Sequence, residues 1–108
     1  MAKKKTKEVS EQPTSDARIV FKKLFIACRE WLALVDPERI EDIDLPGRRI
    51  AILRVIRGIS QTELANKAKV RQADVSHAEN NFESVRLSAL DNIAKILGVT
   101  FEDLRIQY

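Results

Sequence analysis

Asp74, Ser76 and His77 place an acid, a hydroxyl and an imidazole within four positions, the grouping in this chain that first suggests a reaction. In a Ser-His-Asp hydrolase the hydroxyl attacks, the imidazole takes its proton, and the carboxylate fixes the imidazole tautomer. Those groups come from separate elements, whereas these three fall on one helical segment, with no second helix supplying a poised nucleophile. No glycine-rich phosphate loop occurs, so catalysis is not expected. The single Cys28 and single His77 fall short of a tetrahedral zinc set at recognised spacing. Neither a metal nor a cofactor is expected. At helical spacing Ala73, Ser76 and His77 project from one side of that segment. His77 can equally be a partly exposed histidine without a special role.

Such a side chain set must be held by neighbouring helices, and the sequence supplies them. Leu45 to Tyr108 reads as five short helices with no competing β-alternation. The first covers about 46–57, with Pro46 in its first turn and Gly58 in the left-handed position beyond it. Ser60-Gln61-Thr62-Glu63 has capping-box form, so the second begins at Gln61 and runs to about Ala68. Lys69-Val70 make the turn, the third helix covers about 72–80, the fourth about 86–97 before Gly98, and the fifth begins at Thr100 with Asp103 in capping-box position. Leu64, Ala65, Val70, Val75 and Ala78 supply the small and aliphatic positions that two steeply crossing helices need at their contact. A packed helical hairpin in an ordinary bundle would use the same residues.

Upstream the composition changes twice. Residues 1–15 hold one branched aliphatic side chain, Val9, and are expected to form a disordered basic tail. Residues 16–36 return to helical spacing, with Ser15 or Asp16 as N-cap and Asp36-Pro37 as terminator. Within this helix Phe21, Leu24, Cys28, Trp31 and Val35 step by 3, 4, 3 and 4, a heptad seam that something must cover. It could pack on the chain's own downstream domain, on a second copy, or on another protein. Residues 37–45 are dominated by acids and read as a linker with one helical turn, Ile40 and Ile43 serving as anchors.

The segment Ser60 to Glu79 and its surroundings resemble the Cro and lambda-repressor-like helix-turn-helix proteins, the XRE family, over about residues 47–104. The matches include Ile50, Leu53 and Arg54, the Ser-Gln-x-x-Leu-Ala opening, the Val-Ser-x-x-Glu of the third helix, and Ile93 to Val99. The resemblance implies an all-α, five-helix lambda-repressor-like domain at 46–108, preceded here by an extra amphipathic helix. It further implies a structural ion pair between Arg54 and Glu79. Gln72 matches the family's main base-reading position, where an amide can pair bidentately with adenine, alongside Ala73, Ser76 and His77. Gln61, Lys69 and Arg71 are implied as phosphate contacts. Three departures stand out: Lys69 replaces a turn glycine, Arg71 replaces a Ser cap, and Asp74 would oppose phosphates if it pointed outward.

Charge distribution fits a polyanionic partner. Formal charge is only +3, yet Lys3, Lys4, Lys5 and Lys7 crowd one end, and residues 47–57 carry Arg48, Arg49, Arg54 and Arg57 without an acid. A solvated helix face is the plainer account of those arginines. No run is long and apolar enough to span a bilayer, and the start lacks the apolar stretch of a secretory signal, so a cytoplasmic location is expected. The function expected is that of a DNA-binding transcriptional regulator, a dimeric repressor on double-stranded DNA. The alternative is an antitoxin-type or accessory module whose N-terminal helix binds a protein such as a toxin.

Overall fold

The computed structural model describes residues 13–106, so the expected tail lies outside it except for its last three positions. Helix α1, Ser15–Val35, starts one residue earlier than the sequence suggests. Its cap is Thr14, whose hydroxyl accepts the Ala17 backbone N–H at 3.0 Å, while Asp16 sits in the first turn beside the positive helix end. The helix stops at Asp36, ahead of Pro37. Within residues 37–45, Pro37–Arg39 form a 3-10 turn and Ile40–Asp44 form helix α2, with Ile43 buried and Ile40 half-buried. Five helices follow: α3 Pro46–Ile56, α4 Gln61–Ala68, α5 Gln72–Asn80, α6 Leu87–Leu97 and α7 Phe101–Arg105. A second 3-10 turn, Phe82–Ser84, joins α5 to α6. Among the described residues there is no strand, and none of the helices is long and apolar enough to cross a membrane. The fold is all-α, as the sequence implies.

Both capping boxes form. Ser60 Oγ accepts the Glu63 N–H and the Glu63 carboxylate accepts the Ser60 N–H; Thr100 and Asp103 do the same at α7. The common core gathers Ile50 and Leu53 from α3, Leu64, Ala65 and Ala68 from α4, Val75 and Ala78 from α5, and Ile93, Ala94 and Leu97 from α6. The alanines at the α4–α5 contact leave room for close approach, which explains how an eight-residue and a nine-residue helix pack across a short turn.

Helix α1 covers its buried face within the chain. Phe21 and Phe25 are buried, their ring centroids 4.8 Å apart, and Leu24, Cys28 and Leu32 pack against the core. Trp31 is 62% and Val35 56% exposed, so the expected seam is only half covered. The reason is helical phase. The stripe that meets the domain is Phe21, Phe25, Cys28 and Leu32, and it turns away from Trp31 and Val35 by about 100° per residue of offset. Burial pushes the Cys28 thiol up from its ordinary value, which disfavours the thiolate.

Ion pairs fix this arrangement. Arg18 donates to both Asp103 oxygens, at 2.8 and 3.2 Å, and Arg29 pairs with Asp44. Arg49 sits at the centre, fully buried. It donates to the carbonyls of Ile43, Asp103, Leu104 and Ile106, reaches Asp44 at 3.4 Å, and lies 5.5 Å from the Phe25 ring centroid. The arginines of α3 therefore do not form the exposed basic face that their spacing suggests. Arg48 and Arg54 bind α5, and Arg57 donates to the Ile96 carbonyl.

Candidate nucleic-acid interface

The turn between α4 and α5 sets the position of α5. Lys69 adopts φ 60 and ψ 43, the one left-handed non-glycine among the described residues. The Val70 N–H then returns to the Ala65 carbonyl at 3.0 Å, closing the end of α4 as a glycine would. Because Lys bears a Cβ, this position carries backbone strain that glycine would avoid.

At the start of α5 the capping problem is solved in an unexpected way. Arg71 has no side-chain acceptor, so Asp74 turns back instead. Its carboxylate accepts the Arg71 backbone N–H at 3.2 Å and the guanidinium at 3.3 Å, and it is 7% exposed. The hydrogen bond from the Arg71 side chain is the largest influence on this carboxyl; it outweighs burial and holds the group below the usual carboxylate range. Asp74 consequently does not face outward to repel phosphate, nor is it free to orient His77.

A continuous polar chain runs from the interior to the surface. Arg54 grips Glu79 bidentately at 2.6 and 3.3 Å, with Glu79 almost wholly buried and Arg54 also donating to the Ile59 carbonyl. Glu79 Oε1 accepts from Gln61 Nε2 at 3.1 Å, and Gln61 Oε1 accepts from Gln72 Nε2 at 2.7 Å. The first residue of α4 and the first residue of α5 are thereby held together at two adjacent helix N-termini, where free N–H groups and the positive dipole ends favour an anion.

Gln72, Ala73 and His77 are exposed and Ser76 is half-buried on one side of α5, while Val75, Ala78 and Glu79 form the inward side. Lys69 and Arg71 stand exposed at the edge of this surface. Helix α1 packs on α2, the first 3-10 turn and α7, which leaves the outward side of α5 uncovered. Two further residues position α5, a role that the sequence does not assign to either. A Cβ on Gly47 would lie 2.4 Å from the Glu79 carbonyl oxygen, so only glycine lets α3 approach the end of α5. Arg48 donates to the Glu79 carbonyl at 2.9 Å and the Asn80 side chain at 3.2 Å, closing that end. The available signal was a glycine in the first turn of a helix, directly after Pro46, where propensity disfavours it.

Comparisons with curated proteins and with solved structures returned no match. A family model described as the Cro/C1-type HTH DNA-binding domain matches residues 49–106, more than half of the chain and all of the braced helices from α3 to α7 except the first three residues of α3. With α4 and α5 forming the helix-turn-helix and the outward side of α5 left open, this chain belongs to the Cro/C1-type helix-turn-helix DNA-binding family.

Proposed function

We propose that the protein is a dimeric transcriptional repressor that reads DNA sequence with α5 in the major groove. In this reading Gln72, Ala73, Ser76 and His77 meet base edges, and Gln61, Lys69 and Arg71 meet phosphates. The observation that carries it is the Gln72–Gln61–Glu79–Arg54 chain, which fixes an amide at the outer end of an uncovered helix. A fixed amide can hold two hydrogen bonds to adenine, whereas a mobile one loses discrimination to rotamer freedom. Arg71 remains available to phosphate because its pair with Asp74 is exposed at the guanidinium, and such pairs are weak.

Selection of bound fragments from a random duplex pool tests this. The expected result is a pseudo-palindrome with half-sites about one helical turn, roughly 10 base pairs, apart. Gln72→Ala should relax preference at one position per half-site. A pool that yields no consensus, or a Gln72→Ala protein that keeps the parent's preference at every position, overturns the reading. A second reading, an antitoxin-type module with α1 on a protein such as a toxin and DNA binding for autoregulation, draws on the exposed apolar residues of α1.

A further inference from the structure

Helix α1 carries two apolar stripes, and the domain covers only one. The other runs through Val20, Leu24, Ala27, Trp31 and Leu34, at steps of 4, 3, 4 and 3. Val20 is 64% and Leu34 85% exposed, with Trp31 and Ala27 also open to solvent and Leu24 half-buried at the border. At helical periodicity these five share one face, offset from Phe21 and Phe25. The stripe is about 21 Å long from Val20 to Leu34 at 1.5 Å per residue. Val35, at 56% exposed, extends it at one end.

We infer that this stripe is the dimer interface, pairing antiparallel with α1 of a second copy about a two-fold axis at Ala27. The inference rests on the dimeric reading above and supplies the surface for it. Three features of the stripe favour a second copy. An isologous contact needs a self-complementary face, and an antiparallel crossing at Ala27 sets Val20 against the second copy's Leu34, with the smallest side chain where the axes come closest. Lys23 and Glu30 flank the stripe on the same edge, both exposed. In the antiparallel arrangement Lys23 faces the second copy's Glu30, and symmetry makes the pair twice. Parallel pairing would instead set Lys23 toward Cys28 and Glu30 toward Val35, leaving both charges unmatched. The opposite edge of the stripe is occupied by the chain's own domain, so one helix can serve both contacts.

Trp31 is the only tryptophan, so its emission reports directly on this face. Sedimentation equilibrium and Trp31 fluorescence of the full chain, measured over the same concentrations, should show dimer mass and a blue shift appearing together. Leu34→Glu should weaken dimerisation at least about 100-fold, since a hot-spot loss is counted twice, with helicity unchanged because Leu34 is exposed. Lys23→Glu and Glu30→Lys should each weaken it about 10-fold, and the double variant should regain the parent's affinity. Mixed together, the two single variants should prefer each other. A dimer whose Trp31 emission never shifts and which ignores Leu34→Glu overturns this interface while leaving the dimeric reading in place. A chain monomeric at every concentration overturns both and gives the face to a different protein. A double variant weaker than either single one overturns the antiparallel arrangement.

Discussion

Two halves of the molecule are each organised by one arginine of α3, and they use it differently. In the half that holds the helix-turn-helix, Arg54 meets a carboxylate, so charge is matched and the bond is directional toward α5. In the other half, Arg49 meets mainly backbone carbonyls, from the end of α2 and around the end of α7, and lies over a ring of α1. One helix thus braces the helix-turn-helix and fastens an added helix at once. The first task needs orientation, which a bidentate pair supplies. The second needs many short segments gathered at one point, which five N–H donors in a fixed fork can do.

The largest effect should come from the second half. Arg49→Ala orphans four carbonyls and leaves a void beside Phe25, and should cost about 4 kcal/mol in denaturant unfolding. A loss under about 1 kcal/mol would break the comparison, because Arg49 would then be a passenger. Arg54→Ala should cost about 3 kcal/mol by stranding Glu79. It should also lower affinity for a duplex carrying a single half-site at temperatures where the protein stays folded, whereas Arg49→Ala should leave that affinity near the parent's. Equal effects on affinity would show that the halves are not separable.

An acid titration sharpens the contrast further. Burial alone would raise the Asp103 carboxyl, but hydrogen bonds from Arg18 and Thr100 outweigh it and hold the group below the ordinary carboxylate range. A depressed folded-state value means that its stabilising contribution is complete above the unfolded carboxyl's roughly 3.9 and is lost as pH falls through the folded value. Thermal unfolding followed from about pH 5 down to pH 2 should therefore lose stability in the half that holds α1, and Asp103→Asn should flatten that limb. The smallest effect is a gain. Lys69→Gly removes the left-handed strain at the α4–α5 turn and should raise stability by about 0.5 kcal/mol, the relief exceeding the added chain entropy of glycine.

The same division marks what could be read from sequence. Helices α4 and α5 lie where the capping box at Ser60 and the turn at Lys69-Val70 put them, because caps and turns are local and each is written in a few adjacent residues. The Arg54–Glu79 pair followed from family resemblance. Arg49 did not, since a basic residue between other basic residues carries no local sign of burial, and its partners stand up to 57 positions away. Gly47 was missed for a related reason: its role is an absent side chain opposite a carbonyl on another helix. Asp74 could be placed at a helix start but not aimed, because its inward turn depends on Arg71 lacking an acceptor. The heptad seam of α1 is apolar by residue type, yet spacing alone does not say that Phe25 and Leu32, and not Trp31 and Val35, meet the domain.

The bond between Gln72 and Gln61 bears on how fast and how cleanly a duplex could be surveyed. One proton of the Gln72 Nε2 group is given to Gln61, which leaves the second proton and the Oε1 lone pairs available to a base. If this amide reads adenine as proposed, the unbound protein already holds it in one orientation, and docking need not freeze a wandering side chain, a penalty of about 0.5–1.5 kcal/mol per residue. A mismatched base would then meet a group that can swing aside only by giving up its bond to Gln61, and would be released sooner.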